Sequence, residues 1–302
     1  MKATELLKRR FVSELPPSQE QIDNIVDLAL AEDLSHGDIT SDILIPPELQ
    51  GKASVIAKAE GIVAGVEVAK RGFQRVDPSL EVEILINDGA RVKPKDVIAT
   101  VSGRVINILK AERTVLNFLQ RLSGIATMTA QYVAKTRGSR AIILDTRKTT
   151  PGLRLLEKYA VRVGGGTTHR LDMGDWILIK DNHIVALRAL GMNLKEIVAE
   201  AKQKAPKGMI VEAEVTTIQE ALEAVEGGAD MIMLDNMSPE EMRQVMSLIP
   251  KHVQIEASGG ITLDNIGAVA MTGVNFISSG ALTHSVKVLN ISVELEPPTV
   301  KS

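Results

Sequence analysis

The chain has 302 residues, with 35 Lys+Arg against 38 Asp+Glu for a formal net charge of −3, no cysteine, and aromatics at only 2%. That balance excludes a general polyanion binder, the scarcity of aromatics leaves no stacking platform for bases, and the lack of Cys removes disulfides, thiolate metal sites and a cysteine nucleophile. The length suits two domains or one α/β barrel with additions, over a core of Leu, Ile, Val, Ala and 11 Met.

In chain order, the opening MKATELLKRRF lacks a long apolar run and a small-residue cleavage site, and no later stretch could span a bilayer. The expectation is a cytoplasmic protein with no membrane or nucleic-acid partner. PSQEQIDNIVDLALAED then sets Ile22, Ile25, Val26, Leu28 and Ala29 at helical spacing behind a Ser18 cap. GKASVIAKAEGIVAG and LEVEILINDGARVKPKDVIATVSG alternate apolar and polar residues between Gly and Pro, the pattern of strands and turns. The second resembles a biotinyl or lipoyl carrier hairpin, but no lysine is displayed at a tight turn, so it reads as a structural sandwich. LKAERTVLNFLQRLSGIATMTAQYVAKTR is a long amphipathic helix, or a pair of them, bridging two domains.

After Arg140 the pattern becomes strand, polar tip, helix. The strands are AIILDT, WILIK, MIVEAEV, DMIMLD, VQIEASGG and VNFISSG, whose apolar interiors suit parallel strands under helices. A doubly wound sheet would gather the polar residues at one switch point. Here they fall at every strand end: Asp145 to Lys148, Lys180 and Asp181, Glu212 and Glu214, Asp235 and Asn236, Ser258 to Gly260, Ser279 and Gly280. Strand ends converge on one rim in a barrel, so a barrel is predicted.

Several constellations on that rim carry chemistry. Arg147, Lys148 and Lys180 sit on strand tips, where forked and point-like cations can hold carboxylate or phosphate. Arg154, Lys158 and Arg162 follow helical spacing and suit a solvated face equally well. Gly164 to Gly166, followed by Thr-Thr-His-Arg, allow backbone amides to approach an anion, which singles out His169 among the five histidines. EASGGITLDN and ISSGALTHS each set Ser and Gly before a helix, the arrangement of a monophosphate turn. In VEAEV, period-two alternation turns Glu212 and Glu214 into the barrel, with Asp235 ending the next strand. These carboxylates could neutralise cations, bind ribose hydroxyls, position Mg²⁺ or stabilise a carbocation. No paired His spacing for zinc, no GxSxG and no P-loop is present.

ERTVLNFLQRLSGIAT, LDTRKTTPGLRLLEKYAVRVGGGTTHRLDMGDWILIKDNHI, VEAEV, MLDN, ASGGI and SSGALTHS closely resemble the quinolinate phosphoribosyltransferases, the decarboxylating nicotinate-nucleotide pyrophosphorylases of NAD biosynthesis. The likeness runs from AEDLSHGDIT to ALTHSVKVLNIS. It implies an N-terminal α/β sandwich domain over residues 1–116 and an incomplete, seven-stranded α/β (TIM-like) barrel over 117–284. Residues 285–302 would return to the first domain. It further implies a homodimer, or a higher oligomer, with shared active sites, in which Arg113 is lent to the partner. Arg147, His169 and Arg170 would grip the substrate carboxylates, with Thr146 adjoining. Lys148 and Lys180 would serve the pyrophosphate and the reacting centre, and Glu212 and Asp235 the ribose hydroxyls and a tentative Mg²⁺. Lys148, Lys180, Glu212 and Asp235 form the implied catalytic set. Ser258, Gly259 and Gly260 with Ser279, Gly280 and Ala281 would hold the 5′-phosphate. The implied substrates are quinolinate and phosphoribosyl pyrophosphate (PRPP), the latter with Mg²⁺, and no organic cofactor is expected. A paralogue acting on another base, of the type associated with molybdate transport operons, and a non-catalytic sensor of phosphorylated ligands are the alternatives.

Overall fold

The computed structural model describes residues 16–297, so the opening MKATELLKRRF lies outside the described residues. Helix α1 (Gln19–Asp33) starts where the sequence places its cap: the Ser18 hydroxyl accepts from the Gln21 amide and the Gln21 side chain accepts from the Ser18 amide. This capping box satisfies two amides that the helix leaves unpaired. The helix buries Ile22, Val26 and Leu30 at four-residue intervals, while Leu28 faces outward. After α2 (Ile39–Leu44) come β1 (Gln50–Ala57), β2 (Gly61–Ile62), α3 (Val66–Val76), β3 (Glu81–Ile84), β4 (Arg91–Val92) and β5 (Val97–Arg104). Arg71 and Arg75 of α3 pair with Asp23 and Asp27 of α1, both at 2.7 Å.

The antiparallel sheet of this region has the order β12-β1-β5-β3, with β12 (Ile291–Leu295) contributed by the far end of the chain. β12 pairs with β1 from Ala53↔Leu295 to Ala57↔Ile291, and Lys58 forms an ion pair with Glu294. Alternation explains the core, because Ala53, Val55 and Ala57 point to one face and meet Phe73, Leu80, Ile98 and Val101. The sandwich reading of this region therefore holds, with β12 joining its sheet.

Helix α4 (Val105–Lys135) is one continuous helix of 31 residues, not a pair. The described residues group into two compact units, one of residues 16–130, 150–165 and 285–297, the other of residues 131–149 and 166–284. A boundary at residue 116 falls inside α4.

The second unit contains β6 (Ile142–Leu144), β7 (Ile177–Ile179), β8 (Val211–Val215), β9 (Met231–Asp235), β10 (Gln254–Ser258) and β11 (Phe276–Ser278). Their sheet order is β6-β11-β10-β9-β8-β7, with every pairing parallel. From β7 to β11 successive strands are neighbours, and β11, the last, lies beside β6, the first, which is the cyclic order of a barrel and not the reversal of a doubly wound sheet. The barrel is incomplete. Six strands form its ladders, and the seventh place is held by one residue, Thr167, bridged to Leu144. Its amide donates to the Ile143 carbonyl at 2.8 Å and its carbonyl accepts from Asp145 at 3.1 Å.

Helices separate the strands: α5 (Arg154–Val163), α6 (Asp181–Arg188), α7 (Leu194–Lys204), α8 (Ile218–Glu226), α9 (Pro239–Leu248), α10 (Ile266–Ala270) and α11 (Ala281–His284). Asn193, Thr217 and Ser238 cap α7, α8 and α9, so these three helices have a defined start. Among the described residues no helix is long and apolar enough to cross a membrane.

Candidate active site

The C-terminal ends of the barrel strands surround a cavity of about 680 Å³. Its lining comes from each strand in turn: Thr146, Arg147 and Lys148 after β6, Lys180 and Asp181 after β7, Glu214 on β8, Asp235 and Asn236 at β9, Glu256 and Ser258 on β10 with Gly259 and Gly260 after it, and Ser278 on β11. His169 and Arg170, downstream of the Thr167 bridge, complete the wall. Of the expected site residues, the structure brings together Thr146, Arg147, Lys148, His169, Arg170, Lys180, Asp235, Ser258, Gly259 and Gly260.

Local geometry explains the placement. The Thr146 hydroxyl accepts from the Lys148 amide at 3.1 Å, and the Thr283 hydroxyl donates to the Lys148 carbonyl at 2.7 Å. Gly280 is tied to the same lysine by space: a Cβ there would come within 2.9 Å of Lys148 Cδ and of the His284 ring. Lys180 follows β7 directly and opens α6, its amide donating to His183 Nδ1 at 3.0 Å. At the β10 tip, Gly259 has φ +79°, and a Cβ would meet the Asn236 amide nitrogen at 2.7 Å. Glycine there satisfies both the backbone conformation and the close approach of two strand tips. The helices after the two Ser-Gly turns, α10 and α11, span only 5 and 4 residues.

Beneath the cavity lies a buried polar floor. His169 Nε2 is 3.4 Å from a Glu256 carboxylate oxygen and 3.5 Å from one of Glu212, with both glutamates fully buried. Trp176 packs its ring 4.6 Å from the His169 ring at 58°, and its indole N–H donates to Glu212 at 2.8 Å. Burial pulls the His169 pKa down, but the carboxylates of Glu256 and Glu212 outweigh it and push the value up to about 10. The imidazole therefore adds a positive charge to Arg147, Lys148, Arg170 and Lys180. Arg170 is lowered from its ordinary value by burial, with Glu212 opposing and Arg147 contributing, and it donates to the Trp176 carbonyl at 3.2 Å.

The carboxylates divide by depth. Glu212 belongs to the floor and does not line the cavity, whereas Glu214, two residues on, shares the cavity wall with Asp235. Burial and then Asp235 raise the Glu214 pKa, with Lys180 opposing. Two carboxylates that repel each other across a partly dry wall are a donor set that a hard, oxygen-preferring cation such as Mg²⁺ relieves. A second set, His169, Glu212 and Glu256, places its ligating atoms within 4.8 Å of one another, but its nitrogen donor suits a transition ion better than Mg²⁺.

Other expected residues stand elsewhere. Ser279, Gly280 and Ala281 flank the cavity without lining it, and Ser278 lines it in their place. Arg113 is exposed on α4, in the other compact unit. The glycine run is not a ligand loop at its start, because a Cβ on Gly164 would meet the Ala126 carbonyl at 2.5 Å, so this glycine lets α4 and α5 pack. The solvated-face reading of α5 fails as well: Lys158 is fully buried, and Glu157 beside it pairs with Arg121 at 2.7 Å. Glu256 was missed, although alternation in VQIEASGG puts it on the same face as Ser258.

Cations and carboxylates converging around one cavity on a barrel rim suit glycosyl transfer with a pyrophosphate leaving group, and the fold and site define an enzyme of the phosphoribosyltransferase class. Residues 38–123 match the family described as quinolinate phosphoribosyl transferase, N-terminal domain, and residues 125–294 its C-terminal domain. The chain is 44% identical to a probable nicotinate-nucleotide pyrophosphorylase [carboxylating] of Bacillus subtilis, over 91% of this chain and 93% of that one. It is also 44% identical to the chloroplastic nicotinate-nucleotide pyrophosphorylase of Arabidopsis thaliana, over 93% and 85%. The solved nicotinate-nucleotide pyrophosphorylase of Francisella tularensis superposes with a TM-score of 0.86 at 37% identity, covering 93% of this chain and 98% of that one. The chain belongs to the quinolinate phosphoribosyltransferase family.

Proposed function

We propose that the protein transfers the phosphoribosyl group of PRPP to quinolinate and decarboxylates the adduct, yielding nicotinate mononucleotide, pyrophosphate and CO₂ for NAD synthesis. The observation that carries this reading is the cavity wall itself. Arg147, Lys148, His169, Arg170 and Lys180 converge on it, and none of Arg147, Lys148 and Lys180 has an ion-pair partner among the described residues. Arg147, His169 and Arg170 bind the two carboxylates, Lys148 and Lys180 face the pyrophosphate and the reacting carbon, and the Ser258–Gly260 turn takes the 5′-phosphate.

The chemistry follows from charge. The C1′–oxygen bond breaks and its electron pair leaves on pyrophosphate, while the quinolinate nitrogen forms the new bond to C1′. Positive charge developing at C1′ is met by the carboxylates of Glu214 and Asp235, so catalysis is positioning and electrostatics without a protein nucleophile. The positive charge on the quaternised ring nitrogen then stabilises the electron pair that the C2–carboxylate bond leaves on C2. CO₂ departs and a proton replaces it at C2. Mg²⁺ arriving with PRPP would sit at Glu214 and Asp235 and supply charge neutralisation for the leaving pyrophosphate.

Exposed Arg113 on α4 is proposed to enter the partner's site in a homodimer, and the two domains are proposed to divide as the resemblance implies. The decisive test is product analysis. Protein, PRPP, Mg²⁺ and quinolinate should release pyrophosphate and CO₂ in equal amounts, and pyrophosphate without CO₂ would refute the decarboxylating assignment.

A further inference from the structure

The proposed mechanism gives no task to Glu256, yet the residue lines the cavity and its carboxyl faces the His169 imidazole. A carboxylate at the floor of a site for a dianion opposes binding if it acts on the ligand directly. It is also fully buried with neither oxygen hydrogen-bonded, an unfavourable state unless a cation stands against it. The cation that stands there is His169.

We propose that Glu256 is a positioning residue for the dicarboxylate substrate, acting through His169, an inference that rests on the assignment of His169 to the carboxylate-binding wall. The ring is clamped from several directions. Glu256 lies 3.4 Å and Glu212 3.5 Å from Nε2. Trp176 covers one side at 4.6 Å, and the His169 amide is fixed by donation to Asp145 Oδ1 at 2.8 Å. Glu212 is already held by the Trp176 indole at 2.8 Å, so Glu256 is the member of the pair whose principal partner is the imidazole. Its place on β10 is equally fixed, beside Met233 of β9 and Phe276 of β11. Without Glu256 the ring loses one wall of its clamp, and the cation it presents is no longer held in one place.

The test is a double-mutant cycle on the intact enzyme, with initial rates measured against quinolinate and against PRPP. Losing a charge-assisted contact that orients the ring, Glu256→Gln should raise the quinolinate KM roughly ten-fold. The PRPP KM and kcat should stay within about two- to three-fold, a split that general loosening of the barrel would not produce. His169→Ala should raise the quinolinate KM at least as much, and the double variant should be no worse than His169→Ala alone, because both changes remove the same interaction. Glu256→Asp should fall between wild type and Gln; if the Gln variant does not fold, Asp takes its place in the cycle.

A lowered quinolinate KM in Glu256→Gln would show simple repulsion of the ligand and overturn the proposal, as would additive effects in the double variant. No effect of His169→Ala on the quinolinate KM would instead sink the underlying assignment of His169, and the proposal with it. Metal analysis after exhaustive dialysis supplies the remaining arm. A stoichiometric transition ion present in wild type and lost in Glu256→Gln would mean that the cluster is a metal site and not a clamp.

Discussion

Charges in the sheet unit and charges on the barrel rim are arranged on opposite plans. In the sheet unit cations meet carboxylates: Arg71 with Asp23, Arg75 with Asp27, Lys110 with Asp42, Lys58 with Glu294 and Arg121 with Glu157. On the rim Arg147, Lys148 and Lys180 line the cavity without such partners among the described residues, and Glu214 and Asp235 share its wall and repel each other. Like charges held together in partly buried positions are unfavourable unless something outside the chain neutralises them. Charge pairing in the first region is therefore structural, and charge separation in the second is the imprint of the substrates.

The strongest way to break that contrast is to remove a rim cation. Lys148→Ala should lower kcat by about 10²–10³-fold, the usual size for a lost group that stabilises developing charge, with the melting temperature nearly unchanged. The proposed sharing of sites sharpens the test. Lys148→Ala and Arg113→Ala, each nearly inactive alone, should recover about a quarter of wild-type activity when dissociated and mixed, since one site in each heterodimer is intact. Subunit exchange proved by labelling, without recovery, would place Arg113 outside the partner's site.

Ligand charge is the next lever. Nicotinate lacks one of the carboxylates that Arg147, His169 and Arg170 are proposed to hold. Its kcat/KM should fall at least ten-fold below that of quinolinate, corresponding to ~1.5–3 kcal/mol for a charge-assisted contact. Equal use of the two compounds would point instead to a paralogue with another base.

How far the sequence could show this site depended on depth. Alternation put Glu212 and Glu214 on one face, as observed, but it carries no coordinate along the strand. Two residues advance about 6.6 Å, enough to seal Glu212 under Trp176 and leave Glu214 at the cavity wall. The same limit hid Glu256, which shares a face with Ser258 at greater depth. Strands of five residues such as β8, β9 and β10 were legible. The strand position filled by Thr167 alone has no periodicity to detect. Lys158 shows the converse failure: its helical spacing suits a solvated face, and only tertiary packing buries it.

Acidity tests the floor in the same terms. His169 moves from an ordinary 6.5 to about 10 in the folded protein. A folded pKa above the unfolded one means that the charged imidazole stabilises the fold fully below about pH 6.5, and that this contribution is lost as pH rises through about 10. The stability gap between wild type and His169→Gln, from urea melts, should be widest near pH 6 and narrow steadily toward pH 10. A gap that widened with pH would mean that the histidine is neutral between its glutamates.

The smallest expected effect comes from the sheet unit and closes the contrast. Arg91 and Glu60 pair at 2.9 Å, but their side chains are 69% and 64% exposed. Solvent screens such a pair, and ordering two long side chains offsets much of what remains, so it contributes about 0–1 kcal/mol. Arg91→Ala should shift the melting temperature by no more than a few degrees and leave both substrate KM values at wild-type levels. The same deletion of one cation should thus cost little where a carboxylate and water already share the charge, and much at Lys148, where the proposed partner is the substrate. A large loss of activity in Arg91→Ala would show that pairing of charge fails to separate structural from functional cations in this protein.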